Sequence, residues 1–333
     1  MRAYQNEDPG GKVAGMVLVS LVTKQANMGT GRVLILGLCF TLVIGACKKD
    51  EEPAPTPPPG GGNNGPRLVL KFSFDSTQVR LNGFGQPEPL PAGHGAQHPR
   101  FNAMTAHYVE FAQTAWTLPG QGAVVYHAPE TTTGGDNAID FSQAVLTGEG
   151  EAFLNIPLSQ LPAGTYSYLR VSIGYQNFNI DFRQVVQGIG TFDLEGTIAS
   201  FIGFNTYIGT FNVNQQPVTV NDDKLQGFWA FEVLDPPVAV APITGQAPPG
   251  ATTVPNPIFA SSPIPAGSCL VTGVFAQPLE ITGNETEDVV ITVNVSTNNS
   301  FEWIDVAGDN IFEPGAGDQV IDMGTRGMIP TVP

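Results

Sequence analysis

Short segments in which apolar and polar residues alternate are the feature of residues 67–333 that most limits the possible folds. The segment LVLKFSF at 68–74 places its leucines and phenylalanines on one face and Val69, Lys71 and Ser73 on the other. The segment DVVITVNVS at 288–296 alternates in the same way. A period of two residues is that of a half-buried β-strand, and after residue 66 we find no helical period of 3.6 residues. The pattern predicts a chain built from strands.

Further stretches repeat this signal along the chain. Residues 165–182 are rich in aromatic and β-branched side chains, and Gly174 interrupts them where a β-bulge is expected. The other candidate strands are 107–118, 124–127, 204–213, 228–233, 270–275, 301–305 and 319–323. Turn signals rich in glycine, proline and asparagine separate them. Many short strands spaced in this way predict a mainly β fold of antiparallel β-sandwiches.

Chain length and glycine-rich punctuation favour two β domains. Residues 67–333 lie at the upper edge of the size of one β domain, and glycines cluster at 188–196. We therefore expect a β-sandwich domain at 67–190 and a second β-rich domain at 191–333. Prolines are dense at 236–265, and because proline cannot donate to a central ladder, this segment is expected to be a long surface loop.

The N-terminal residues carry the pattern of an export and anchoring signal. The apolar run VLILGLCFTLVIGA at 33–46 follows Arg32 and is too short for a bilayer span, which needs roughly 20 residues. Its end, IGAC at 44–47, resembles the lipobox of bacterial lipoproteins, in which the chain is cut before a cysteine that is then acylated. The resemblance implies a signal peptide at 1–46 and a lipidated Cys47.

The segments around this junction complete the interpretation. Residues 1–27 precede Met28, from which a signal peptide of ordinary length would begin, so they are a candidate over-long start. The sequence KKDEE at 48–52 resembles the acidic export signal of some Gram-negative lipoproteins, and the Pro- and Gly-rich remainder of 47–66 is typical of a disordered tether. We expect anchoring to the outer membrane through acyl chains on Cys47. The exterior face is the first expectation and the periplasmic face is the alternative.

Composition limits the partners and the chemistry. The chain has 30 acidic and 14 basic residues, a net charge of -16, which makes nucleic acid a poor partner. Its three cysteines cannot build a disulfide scaffold, and Cys269 is expected to be a buried strand residue. We find neither a Gly-x-Ser-x-Gly elbow nor a phosphate-binding glycine loop, so we expect no enzyme. A hydrolase without a recognisable motif is the weakest alternative.

All four histidines fall within one window of the sequence. His94 and His98 lie in a Gly- and Pro-rich loop, whereas His107 and His127 lie on candidate strands. Imidazole clusters suit copper or zinc, and plain surface histidines are the alternative interpretation.

A family resemblance also suggests that this chain binds copper. The segments LVLKFSFD, FNAMTAHYVEF and GAVVYHAPE, within residues 67–182, are similar to the methanobactin-partner (MbnP-like) family of periplasmic copper-binding β-sandwiches. The resemblance implies a copper-handling envelope protein, although no ligand of that family is carried over to a position in this chain. A binding or structural module of unknown ligand and a copper-handling protein both stay open.

An acidic loop at 305–318 is a second candidate metal site. Calcium prefers six to eight oxygen ligands, which a turn supplies at alternate positions, and the loop resembles the Asp-rich calcium loops of extracellular β-rich and dockerin-like modules. The candidate ligands are Asp305, Asp309, Ile311 through its carbonyl, Glu313 and Asp318. Positions three and twelve of the loop hold alanines, which lack a side-chain oxygen, and a solvated acidic hairpin loop is the alternative.

The lipidation hypothesis makes a direct prediction. Replacing Cys47 by serine removes the thiol that would carry the acyl chains, so the Cys47→Ser precursor should stay unprocessed or the protein should carry no labelled fatty acid. Stable anchoring needs more than one acyl chain, and a bacterial lipoprotein cysteine carries that many. Equal fatty-acid labelling of the wild-type and Cys47→Ser proteins would refute lipidation at this residue.

Overall fold

The structure, a computed structural model, describes residues 65–82, 85–247 and 270–333, and all of them belong to one compact unit. This part of the chain is mainly β with several antiparallel sheets, which confirms the predicted β-sandwich type of fold. Its strands are β1 (Arg67–Asp75), β2 (His94–Gln97), β3 (Arg100–Ala112), β4 (Ala123–His127), β5 (Glu130–Thr131), β6 (Ala138–Asp140), β7 (Ala152–Pro157), β8 (Gly164–Val186), β9 (Gly190–Phe201), β10 (Asn205–Asn212), β11 (Pro217–Leu225), β12 (Phe228–Leu234), β13 (Ile243–Gln246), β14 (Leu270–Ile281), β15 (Val289–Ser296), β16 (Phe301–Ile304), β17 (Gln319–Met323) and β18 (Met328–Thr331).

Helical structure is limited to single turns in the described ranges. The 3-10 helices are Phe141–Gln143, Leu158–Gln160 and Pro314–Ala316. A membrane-crossing helix, long and apolar enough for the task, is not found among the described residues.

Hydrogen bonding arranges the described strands into four sheets. The largest has the order β13-β12-β9-β8-β3-β4, with β14 also paired to β8. Two four-stranded sheets have the orders β18-β15-β1-β7 and β11-β10-β6-β5, and a three-stranded sheet has the order β17-β16-β2. Most neighbours are antiparallel, but β1 runs parallel to β15 from Leu68↔Val289 to Asp75↔Ser296.

The 23-residue strand β8 is the centre of the largest sheet. Strand β3 pairs along one edge of β8, while β14 and then β9 pair along the other edge. The β3–β8 register shifts at Gly174, because Thr105 lies opposite Tyr175 whereas Ala106 lies opposite Ile173. The β-bulge predicted at Gly174 is therefore confirmed.

Three hydrophobic clusters pack against this sheet. In the first, the sheet β18-β15-β1-β7 contributes Leu70, Phe72 and Val293, which meet β3, β8 and β14. In the second, Phe211 of β10 and Phe201 of β9 pack together. In the third, aromatic side chains of β16 and the loop after it meet β8 and β12. Each smaller sheet thus buries its apolar face against a different part of the largest one.

The boundary expected between residues 190 and 191 falls in a β-hairpin. Strands β8 and β9 pair continuously from Tyr175↔Phe201 to Val186↔Gly190, so residues on both sides of this point share one sheet. Gly188 has φ 79°, a left-handed backbone that a tight turn requires. The glycine cluster therefore marks a turn between two long strands, and the expected division into two domains does not follow the sheet topology.

Some predicted features lie at the edge of the described residues or beyond it. The proline-rich segment at 236–265 contains β13, which pairs with β12 at the end of the largest sheet, where an edge strand tolerates nearby prolines. Residues 248–269, including Cys269, lie outside the described residues. So do the signal peptide expected at 1–46 and Cys47.

The close packing of β9 on β12 makes a testable prediction. A Cβ at Gly196 would lie 2.4 Å from Cε2 of Phe231 and 3.1 Å from the carbonyl oxygen of Glu232. Since Phe231 is buried, Gly196→Ala should lower the free energy of unfolding by about 1–3 kcal/mol, the usual cost of overpacking a core. Gly209→Ala on β10 is the control, because its nearest atom is 3.9 Å away. Urea denaturation giving equal losses for both variants would contradict this account.

Candidate metal centre

Two histidines and a glutamate meet where the chain crosses from one sheet to another. His107 lies on β3 and His127 is the last residue of β4, next to it in the largest sheet. Glu130 is the first residue of β5, which belongs to the sheet β11-β10-β6-β5. Only Ala128 and Pro129 connect β4 to β5, and the Ala128 N–H donates to the carbonyl of His107 at 2.7 Å. The short crossing holds the three side chains together.

The spacing of the three potential ligand atoms suits a metal ion. Nε2 of His107 lies 3.0 Å from Oε1 of Glu130, and Nε2 of His127 lies 3.6 Å from the same oxygen. All three ligand atoms lie within 4.8 Å of one another. Around a tetrahedral ion with ligand distances near 2.1 Å, neighbouring ligand atoms are roughly 3.4 Å apart. Small side-chain adjustments would place these atoms around one ion.

Neighbouring side chains orient this group. The imidazole rings of His107 and His127 meet edge to face with centroids 4.7 Å apart, and the Phe204 ring lies 5.4 Å from that of His107. The Asn137 side chain donates to Oε2 of Glu130 at 2.7 Å, which leaves Oε1 directed at the histidines. Supporting contacts of this kind fix metal ligands in known sites.

The environment favours the ligand forms of His107 and Glu130. Burial lowers the pKa of His107, which favours the neutral imidazole, although the hydrogen bond to Glu130 acts against this. Burial alone would raise the pKa of Glu130, but hydrogen bonds from Asn137 and His107 outweigh it and hold the pKa below its ordinary value. Neutral imidazole and ionised carboxylate are the forms that coordinate a cation.

The structure does not gather all four histidines. His94 places Nδ1 2.5 Å from Oε1 of Glu302, a carboxylate that also pairs with Arg80 and Arg326. Nδ1 of His98 accepts the Asn299 N–H at 2.9 Å. The predicted set of four is therefore corrected to the pair His107 and His127.

Sequence reasoning missed the third member of the cluster. Glu130 follows His127 by three residues in the segment HAPE. A glutamate three residues after a histidine at a strand end was the available signal, but the contact of Glu130 with His107 on β3 depends on how the chain crosses between the two sheets.

The acidic loop uses its carboxylates in another way. Asp318 is buried and accepts the N–H groups of Val306 and Glu313, whereas Asp305 accepts those of Gly308 and Asn310. Asn310 has φ 59°, a left-handed conformation that asparagine tolerates.

The calcium prediction for 305–318 stays a prediction, although these carboxylates also have partners within the protein. Asp309 accepts the Ile311 N–H at 3.0 Å, and Glu313 lies 4.0 Å from Arg183. Within the described ranges, the one group that brings three His, Cys, Asp or Glu ligand atoms together is that of His107, His127 and Glu130. Backbone N–H groups of the turn therefore hydrogen-bond to Asp305, Asp309 and Asp318.

Comparisons of the chain with protein-family models, with curated proteins and with solved structures found no match. The assignment of a candidate metal centre therefore depends on the geometry of His107, His127 and Glu130 alone.

The hydrogen bonds of the acidic loop predict a pH dependence. The N–H groups of Asn310 and Gly308 help to lower the pKa of Asp305. Because the folded pKa lies below the unfolded one, this carboxylate stabilises the fold above its unfolded pKa, and the stabilisation is lost as pH falls through the folded pKa. Asp305→Asn should lower the melting temperature at pH 7. The difference in melting temperature between the variant and wild type should become smaller in strong acid.

The matched control for this loop is Glu287→Gln, which alters an exposed carboxylate outside it. Its melting temperature should follow wild type across the pH range. A constant deficit of Asp305→Asn from pH 7 to pH 2 would contradict the role assigned to the ionised carboxylate.

Proposed function

We propose that this chain is a lipid-anchored cell-envelope protein that binds one transition-metal ion, copper in preference, through His107, His127 and Glu130. The observation that carries the metal part is the approach of their three ligand atoms to within 4.8 Å of one another. The spacing of these atoms and the protonation states favoured at His107 and Glu130 both suit a cation.

The chemistry of the ligands favours copper or zinc over harder ions. Two imidazoles and one carboxylate form a mixed nitrogen and oxygen set, whereas calcium and magnesium prefer oxygen ligands alone. For a given set of this kind, Cu²⁺ binds more tightly than Zn²⁺ in the general order of divalent affinities. Copper is therefore the first expectation and zinc the second.

The exposure of the ligands favours an open site. The side chain of His127 is 51% exposed and that of Glu130 is 26% exposed, whereas His107 is buried beside Phe204. Three protein ligands leave at least one coordination position for water or another small ligand. Such a site can take up and release an ion from the solvent side, which suits metal handling.

The anchoring part of the proposal is supported by the N-terminal sequence alone. The apolar run at 33–46 ends in the lipobox-like IGAC, and the acidic segment at 48–52 follows it. This pattern supports attachment to the outer membrane with the folded part outside, and fatty-acid labelling of Cys47→Ser tests it separately from metal binding.

Metal titration tests the site. The full chain, stripped with a chelator, should bind one equivalent of Cu²⁺ against a competing chelator, with an electron paramagnetic resonance spectrum that shows two nitrogen ligands. The spectrum of His127→Ala should show one nitrogen ligand instead of two. This variant should also bind copper more weakly than Asn137→Ala does. Asn137→Ala loses only the contact that orients Glu130 and should weaken binding by about 10–100-fold.

The matched control is His98→Ala, because His98 lies outside the cluster and contacts Asn299. Its affinity and spectrum should equal those of wild type. An equal loss in His98→Ala and His127→Ala, or a spectrum with no nitrogen ligand, would overturn the assignment. Either result would favour the binding or structural module of unknown ligand.

A further inference from the structure

The loop between β3 and β4, residues 113–122, exposes large apolar side chains. Trp116 is 69% exposed and Leu118 is 48% exposed, and the adjoining strand β4 adds Val124 at 42%. Isolated apolar residues on a surface are ordinary, but here an indole and a leucine are exposed two positions apart on one loop. Neither residue takes part in the metal centre.

A buried ion pair fixes the conformation of this loop. Arg170 on β8 and Glu110 on β3 are both fully buried, with Nη1 and Oε2 3.5 Å apart. Arg170 donates to the carbonyl of Thr117 at 2.6 Å and to that of Ala115 at 3.3 Å, which are the two residues flanking Trp116.

The same pair secures the far end of the loop. Glu110 accepts the N–H of Gly122 at 2.6 Å. Burying two charges has a large desolvation cost, which these contacts offset only when the geometry is good. The buried ion pair therefore holds the backbone on both sides of Trp116, and the exposed position of the indole is fixed by contacts with strands β3 and β8.

The loop carries no charge. Residues 111–129 contain no Asp, Glu, Lys or Arg, in a chain with 30 acidic and 14 basic residues. A charged partner gains no electrostatic attraction from such a surface. An apolar and electrically neutral partner loses little hydration free energy when it makes contact. The composition favours a partner whose surface is electrically neutral and has an apolar layer beneath it.

The loop lies near the start of strand β1, and this position indicates which neutral surface it can reach. Strand β1 begins at Arg67, and the Leu158 N–H donates to the Pro66 carbonyl just before β8 begins at Gly164. A Cβ at Gly164 would lie 3.1 Å from Nε2 of Gln113 in the loop. The loop therefore lies at the end of the sandwich where the chain enters from its N-terminal side.

The proposed anchor is close enough for contact at this end. Cys47 precedes the first described residue, Gly65, by 18 positions, and a fully extended chain of that length spans at most about 60 Å. A domain held within this distance meets the bilayer repeatedly, because tethering raises the effective concentration of the second contact.

We propose that residues 113–122 seat the domain on the neutral lipid surface to which it is anchored, with Trp116 at the level of the headgroups and Leu118 beside it. The indole ring suits this level, where tryptophan is enriched in membrane proteins. Glu285, Glu287 and Asp288 lie in the loop that ends at the same side, so an anionic surface should be disfavoured. The proposal rests on the anchoring part of the proposed function.

Fluorescence quenching by lipid tests the contact directly. The full chain is reconstituted on phosphatidylcholine vesicles that contain lipid with a nitroxide near the headgroup. Tryptophan fluorescence should fall, and most of the fall should disappear in Trp116→Phe, because Trp303 is buried in the core and Trp229 is partly buried. Leu118→Ser should reduce the quenching, and vesicles rich in anionic lipid should do the same.

The matched control is Ile189→Ser. Ile189 is 56% exposed in the turn at the opposite end of β8, so its replacement should leave the quenching unchanged. Equal reductions in Leu118→Ser and Ile189→Ser would overturn the proposal. A fluorescence response of Trp116 to soluble neutral glucans but not to quencher lipid would also overturn it and would indicate a carbohydrate partner.

Vesicle flotation separates failure of this inference from failure of the anchor. A chain that does not float with the vesicles contradicts anchoring and, with it, the seating of the loop. A chain that floats but shows no quenching of Trp116 contradicts the seating alone and leaves the proposed function intact.

Discussion

Hydrogen bonding along both edges of β8 is the constraint on which the rest of the structure depends. Strand β3 occupies one edge, and β14 and β9 share the other. Side chains of β8 enter all three hydrophobic clusters, for example Val171 in the first, Tyr175 in the second and Phe178 in the third. A change in the register of β8 would therefore disturb every layer, which is why one strand of 23 residues can organise so many short ones.

The bulge at Gly174 connects this strand to the metal centre. Its carbonyl accepts the N–H groups of Ile202 and Gly203 at 2.9 and 3.0 Å, which turns the chain away from β9. The next residue is Phe204, whose ring lies against His107. A β-bulge re-aims the side chains around it, and here it places an aromatic ring beside a potential ligand.

The sequence predicted the strands whose burial alternates, such as 68–74 and 288–296, since one buried face is a local property. It did not predict β9, because the glycines of a hairpin resemble those of a domain boundary. The pair His107 and His127 was a reasonable candidate, but Glu130 and the Glu302 partner of His94 depend on how distant strands pair. The acidic loop has carboxylates at metal spacing, and only its folded backbone shows that Asp305, Asp309 and Asp318 accept N–H groups.

The parallel pairing of β1 with β15 has a mechanical consequence. Strand β1 is the first strand of the described chain and lies inside its sheet, between β15 and β7. A pull transmitted from the N-terminal side runs along the axis of β1, so it loads the ladders on both edges in shear, many hydrogen bonds at once. An edge hairpin pulled from its tip would open one bond after another. The described residues are thus connected to the segment that precedes them through a strand that is hydrogen-bonded on both edges, so force applied there meets many bonds together.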